Sequence, residues 1–408
     1  MILRVASLRS LVLTLLAASV LGGTATSAHA SGGTYTPAQG ALFSRPTAAG
    51  AGSENVIRDH LIALIDHASP GSSIKVAMYL WRDKAITDAL VRAKNRRKVT
   101  VQVIMNNSLD SDSQEHFKDL RKRIGTYRPG FTETSWAGEC VRTWGCLGTG
   151  IHHNKFFLFS RVGKAKDVVV QSSANLTLEE RTEFWNNAYT VADSGLYGIY
   201  DSYFERLREG VGRVTTPDDD AYTHAVSGRH QLYTTPSAGT TDPISDVLDQ
   251  IVCSTDPKKP TRIRVAMFKF GLIPVAERLA ALKATEGGHC RVRVVYGNFG
   301  TNLATVFRME AILRKGTNLA RVCEGLMTVH SKYMTIDTGA GSFEGVTQRK
   351  VVFTGSFNYM PYDLRRNDET VLRIDDRKVH DQYVLDFEKG MVARCSKPWW
   401  KGDRFATR

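Results

Sequence analysis

The sequence predicts an α/β fold in which one set of elements is built twice, as two βαβαβ halves with mixed sheets. Three observations carry that prediction. Apolar, β-branched runs alternate with segments whose apolar residues recur at helical spacing, the pattern of strands covered by helices on both faces. The order of those segments in the first half of the chain recurs in the second. Each copy then reaches a His-x-Lys pattern, His153-Asn154-Lys155 and His330-Ser331-Lys332, trailed by a Ser-bearing segment that ends in Asn.

Each copy opens on a short apolar run closed by proline, residues 41–46 and 231–236. Helical spacing follows at Ile57, Leu61, Leu64 and Ile65, and again at Ile244, Val247, Leu248 and Ile251. A buried strand comes next, 74–79 against 263–268. A second helix, 86–93 against 275–282, leads into a Val-rich strand, 99–105 against 292–296. The repeats therefore span 41–211 and 231–408, and 212–230 reads as a linker, with Pro217, three successive aspartates and Gly228. The first repeat is longer ahead of its His-x-Lys. Its surplus, 138–150, carries Cys140, Trp144 and Cys146 and is expected to overhang the site.

Residues 1–30 read as a signal peptide: Arg4 and Arg9, an apolar stretch over 11–21 too short to span a bilayer, and the small-x-small site Ala28-His29-Ala30. Cleavage near Ala30 and a secreted, monomeric chain are expected, with 31–40 a flexible leader. Trp399 and Trp400 are expected to pack on the core. Six cysteines in an oxidising compartment predict three disulfides. Cys140 and Cys146 close a small loop. The other four leave their pairing open, and Cys290–Cys323 with Cys253–Cys395 is the arrangement expected, because Cys290 opens a strand and Cys323 lies in the next connecting one. With no Cys-x-x-Cys and no paired histidines at ligand spacing, neither a metal nor another cofactor is expected. A length of 408 residues and 42% hydrophobic composition allow a large core, and a net charge of +13 favours an anionic partner, either a phosphodiester backbone or an anionic membrane face.

A lone histidine in an apolar strand is more often a satisfied core residue than a catalyst, and one His-x-Lys arises readily by chance. Two copies weigh differently, because each lysine lies two residues from its histidine, on the same strand face, and buried lysine is rare unless paired or functional. His152 falls on the opposite face and is left out of the site. The second copy reads His330-x-Lys332 and Asp337, then Gly355-Ser356-Phe357-Asn358; the first reads His153-x-Lys155 and Ser160, then Ser172-Ser173-Ala174-Asn175. With these two motifs the chain resembles the phospholipase D superfamily, over nearly its whole length after the signal peptide.

The resemblance implies a phospholipase D-like fold, with two halves packed about a pseudo-two-fold axis and one site between them. It implies phosphodiester cleavage without metal through a phosphohistidine. His153 and His330 are the implied nucleophile and general acid, His153 being the preferred nucleophile and the reverse remaining open. Lys155, Lys332, Asn175 and Asn358 are implied to hold the non-bridging oxygens, with Ser173 and Ser356 binding substrate. In that family the strand carries an Asp five residues after Lys, and a carboxylate after Ser-x-Asn, typically as Asn-x-Glu, reaches the histidine of the other half. The second half has both, Asp337 and the Glu369 of Asn367-Asp368-Glu369, so Glu369 is expected to hold His153 Nδ1. The first half has Ser160, and Asn186-Asn187-Ala188 in the matching place, so His330 is expected to lack an orienting carboxylate.

Three readings of function remain open. A phospholipase D should show aromatic and apolar loops beside its site, and Trp136, Trp144 and Leu147 near Cys146 could serve at a phospholipid or membrane surface. A nuclease should show cations interleaved with stacking aromatics, and 96–98, 118–123 and Arg365-Arg366 are the candidate contacts to nucleic acid. A weakly active or inactive descendant would bind phosphates through the same lysines. The compact spacing of the two motifs suits a nuclease, the aromatic disulfide loop and export suit a lipase, and the lipase is preferred.

Overall fold

The computed structural model describes residues 35–50, 52–130, 134–214, 222–240 and 242–398. The signal peptide, Trp399 and Trp400, and 215–221 of the expected linker lie outside the described residues.

Two eight-stranded mixed sheets carry the chain. The first runs, edge to edge, Gly40–Ser44, Phe184–Ala192, Ala165–Ser172, Lys155–Val162, Ser73–Met78, Thr100–Met105 and Trp136–Glu139, with Thr328–Val329 added beside Phe184–Ala192. The second runs Leu319–Val322, Cys290–Asn298, Thr261–Lys269, Lys332–Asp337, Lys350–Gly355, Glu369–Ile374, His230–Thr235 and His224–Ser227. The duplication is closest where the motifs lie: Lys155 opens a strand antiparallel to the end of the first parallel strand, opposite Met78, and Lys332 does the same opposite Met267. Both motifs thereby sit where parallel strands end, the edge at which α/β sheets present their ligands.

Helices start where the sequence supplies caps. Asp83, Asp110, Asp193, Asp242 and Asp376 each accept backbone N–H groups of the first turn that follows, which satisfies donors the helix leaves unpaired. Apolar side chains fill three layers. One lies outside each sheet, around Leu61, Trp81 and Phe117 in the first half and around Ile244, Phe270 and Leu313 in the second. The third lies between the sheets and draws on both halves, with Phe156, Trp185 and Tyr200 beside Tyr333, Leu372 and Tyr383. Full burial of each such side chain contributes about 1.5–3 kcal/mol, so the halves are held as one body rather than tethered. No helix among the described residues is long and apolar enough to cross a membrane.

Three expectations are corrected. Residues 224–227 of the expected linker form a hairpin strand on the edge of the second sheet. Part of the expected leader is ordered: Tyr35 stacks on His67, and the first sheet's edge strand begins at Gly40. The second-half disulfides are Cys253–Cys290 and Cys323–Cys395, alongside the expected Cys140–Cys146. Cys290 and Cys323 stand at opposite ends of parallel strands paired through Arg293–Leu319 and Tyr296–Val322, far beyond disulfide reach. Backbone bonds instead tie Ser254 to His289, beside Cys253, and Val322 to Ser396, beside Cys395.

Candidate active site

Each histidine is delivered on a segment pinned to the other half. His153 N–H donates to the Asp368 carbonyl, and His330 N–H donates to the Trp185 carbonyl, at 3.0 and 2.9 Å. The same pairing sets the register of the repeat: Trp185 corresponds to Asp368, and Asn186 to Glu369. Both Asn186 and Glu369 lie eleven residues after the Asn that closes the Ser-x-Asn segment.

Glu369 faces His153 as expected, with Nδ1 at 2.8 and 2.9 Å from its two oxygens. The expectation that His330 lacks a carboxylate is corrected. Glu180, in the five-residue helix Leu178–Thr182, places Oε2 2.9 Å from His330 Nδ1, and the Asn186 side-chain oxygen lies 3.1 Å away. Ala188 is two residues out of register and fully buried in the outer core layer, while Asn187 donates to Thr354 and Tyr383. A sequence signal for Glu180 exists: it stands five residues after Asn175, as Asp363 stands five after Asn358.

With Nδ1–H committed to a carboxylate, each imidazole keeps Nε2 for the substrate. Among the described residues neither Nε2 has a protein partner, and neither is sealed from solvent, unlike both ring nitrogens of His152. His152 turns away, its Nδ1 3.4 Å from Asp368 in the interior. The lysines mirror one another. Lys155 Nζ donates to the His153 carbonyl at 2.6 Å and lies 5.1 Å from the centre of the Tyr79 ring. Lys332 Nζ donates to the His330 carbonyl at 2.5 Å and lies 5.2 Å from the centre of Phe268. Burial lowers both ammonium groups, Lys155 to about 8 against the pull of Glu369 and Glu180, and Lys332 well below its ordinary value. The Asn175 amide donates to Glu180 at 2.5 Å and the Asn358 amide to Asp363 at 2.8 Å, which orients each NH2 group and leaves one N–H over.

Burial, then Lys155 and Lys332, hold His153 well below the usual imidazole range, with His330 and Lys269 acting in the same direction. His330 is lowered to about 4 by burial, but the next largest influence, the Glu180 carboxylate, raises it. Glu180 thus works against the effect of burial on the His330 side.

The remaining expected residues do not meet the substrate position. Asp337 ends its strand five residues from Lys332, roughly 16 Å at about 3.3 Å per residue, where it caps Gly339 and pairs with Arg262 at 3.7 Å. Ser160, its counterpart, accepts the Ser73 N–H. Ser173 and Ser356 are fully buried behind the pair. Ser173 donates to Asn186 at 2.8 Å and accepts from the Asn187 N–H, while Ser356 bonds Glu369 and accepts from Thr370, so both position the groups that hold the histidines.

The disulfide loop grips the other half instead of hanging free. The buried Asp368 carboxylate accepts the N–H groups of Cys146 at 2.6 Å, Leu147 at 3.2 Å and Gly148 at 2.7 Å. A Cβ on Gly148 would lie 2.0 Å from the Arg366 carbonyl oxygen, so only glycine permits this approach. Cys140, His152 and Asp368 come together there, but the Cys140 sulfur is bonded to Cys146 and offers no thiolate.

The sequence profile of a family described as cardiolipin synthase, PLD-like domain, matches residues 61–208 and 257–391. No curated protein matches the chain in sequence. Among solved structures, the fold is similar to phosphatidylserine synthase from Haemophilus influenzae Rd KW20, at 14% identity and a TM-score of 0.56 over 90% of each chain. Polyphosphate kinase from Porphyromonas gingivalis aligns at 12% identity and a TM-score of 0.49, over 82% of this chain and 48% of the kinase, so the chain spans about half its length. A phospholipase D family member, Nuc from Salmonella typhimurium, aligns at 18% identity and a TM-score of 0.33, over 44% of this chain and 100% of Nuc.

Proposed function

The chain belongs to the phospholipase D superfamily of phosphodiester-cleaving and phosphoryl-transferring enzymes, its PLD-like domain reaching across both halves, and from that premise we propose that it is a secreted phospholipase D. His153 Nε2 attacks phosphorus in line with the leaving oxygen, and the P–O bond breaks as His330 passes the proton on its Nε2 to the departing alcohol. The phosphoryl group is then carried on His153. A water that gives its proton to His330 attacks phosphorus, the P–N bond breaks, and the pair returns to its starting state. Lys155 and Lys332, with the free N–H of Asn175 and of Asn358, hold the non-bridging oxygens. Glu180 favours the protonated His330, and the charge of a bound diester favours it further, which supports His330 as the acid.

The observation that carries the lipid reading is the character of the site's rim. Leu109, Leu178, Leu303, Phe307, Leu326 and Tyr362 are all exposed, and every one lies on a segment that leaves or enters the strand ends bearing the site. Apolar groups gathered at one edge suit an interface with lipid. Of the expected aromatic loop, Trp136 and Leu147 are buried and Trp144 is half-buried. Four arginines of the basic runs expected for nucleic acid are engaged elsewhere, while Arg96, Lys98, Lys118 and Lys122 are exposed. Arg97 donates to the Ile65 and Ala68 carbonyls at the opposite sheet edge, Arg121 and Arg123 pair with Glu139 and with Asp88 and Asp119, and Arg365 donates to Ser237 and Ala238. Arg366, stacked on Tyr362 beside the site, is the one observation that favours a nuclease. Three disulfides among the described residues support an oxidising compartment.

The test is a parallel assay of the oxidised protein, with chelator, on phosphatidylcholine vesicles and on plasmid DNA, with His153→Ala and His330→Ala as controls. Choline release that both variants lose is the expected result. DNA cleavage alone would transfer the protein to the nucleases, and silence on both substrates would favour a phosphate-binding descendant.

A further inference from the structure

The two ends of a phosphodiester meet different walls of this site, and the wall beside His330, where the departing alcohol leaves, carries a charge that the opposite wall lacks. We infer that Lys269 is a specificity-determining residue that selects a phospholipid whose head group bears a second anion; the inference rests on the phospholipase reading above.

The placement follows from contacts around one ring. Phe268, near the end of the strand Thr261–Lys269, has its ring centre 4.8 Å from that of His330 and 5.2 Å from Lys332 Nζ. Lys269 Nζ lies 5.5 Å from the same ring centre, so it is no farther from Lys332 Nζ than those two lengths laid end to end. Phe270, the next residue, bridges to Tyr359, which follows Asn358. Lys269 therefore stands between the ring at His330 and the segment that carries Asn358. The repeat supplies the comparison. Met78 opposes Lys155 as Met267 opposes Lys332, and Trp81 bridges to Leu176 as Phe270 does to Tyr359, so the first-half counterpart of Lys269 is Leu80.

Lys269 is exposed, and among the described residues no carboxylate lies within ion-pair distance of it. Arg82, on the matching first-half segment, is by contrast held by Asp110 at 2.7 Å. A cation left unpaired where an alcohol departs favours an alcohol that carries a carboxylate or a phosphate of its own. Choline is the less favoured head group, because an aromatic face is what holds a quaternary ammonium, and the Phe268 ring is already shared by two lysines. Phosphatidylcholine is then a substrate of the site without being its preferred one.

Phosphatidylserine and phosphatidylethanolamine differ only by the head-group carboxylate, and their dihexanoyl forms, used as monomers below the micellar threshold, present no charged surface to a basic protein. Head-group release by the full oxidised chain should favour the serine lipid by roughly tenfold in kcat/KM. Lys269→Leu should bring that ratio near one by raising KM for the serine lipid, since the carboxylate takes no part in the reacting group, and Lys269→Arg should keep the preference. A ratio near one in the wild-type chain, or an unchanged ratio in Lys269→Leu, would overturn the inference while the phospholipase reading stands. Release of neither head group would overturn that reading and the inference with it, and plasmid cleavage by the same sample would assign Lys269 to a neighbouring phosphate of a nucleic acid.

Discussion

The two halves hold opposite imidazoles by different means. His153 is held from a strand, by a Glu369 whose position is locked by its neighbour Asp368, a carboxylate cupped by three backbone N–H groups of the disulfide loop. His330 is held from a five-residue helix, by Glu180, with Asn186 filling the strand position. The difference teaches that the bond to Nδ1 is the requirement and the residue that provides it is interchangeable. It also divides the labour proposed above: a grip from a strand suits the ring that carries phosphorus, and a Glu180 carboxylate that works against the effect of burial suits the acid.

The largest expected effect tests that division outright. His153→Ala should abolish phosphoenzyme and lower kcat/KM by about 10⁴-fold or more, and His330→Ala should do the same to turnover of an alkyl diester while still labelling His153 from a nitrophenyl diester, whose leaving group needs no proton. Loss of the label in both variants would break the comparison. Glu180→Gln and Glu369→Gln come next, at about 10²-fold each. Glu180→Gln should spare nitrophenyl substrates and Glu369→Gln should not, as read from the dependence of rate on leaving-group pKa.

The register correction is sharpened by Ala188→Glu. A carboxylate introduced there enters a closed apolar layer, so the chain should lose several kcal/mol of stability in a denaturant titration and gain no activity. A functional gain would return Ala188 to the site. Charge on the first-half lysine is a smaller effect. Binding of dimethyl phosphate, whose own charge is constant, should weaken as pH rises through about 8, because Lys155 loses its proton there, and Lys155→Arg should remove that limb. The smallest effect belongs to the loop. Cys140→Ser with Cys146→Ser should lower kcat by roughly threefold to tenfold with KM little changed, if the cup on Asp368 steadies Glu369.

Much of the site is legible from residue order. The two His-x-Lys motifs, both Ser-x-Asn asparagines and Glu369 can be named from the repeat, because duplication puts the same chemistry at the same offset twice. Glu180 hides because the Asn-x-Glu pattern of the second half leads to Asn186 in the first, past Glu180 on the way. Asp337 belongs to the right strand but to its far end, and strand membership says nothing about which end faces the ligand. Ser173 and Ser356 lie behind the histidine pair instead of touching substrate, since layers perpendicular to a sheet leave no trace in a one-dimensional spacing.

What the sequence alone determined is periodic and local: strand and helix order, caps, the duplication, and residue types fit for phosphoryl chemistry, all of which depend on neighbours a few positions apart. Only the tertiary structure decided which acid meets which ring, which cysteines pair, and that the disulfide loop grips Asp368. Those are contacts between segments far apart in the chain, set by how strand ends abut across the axis, and no local propensity records them.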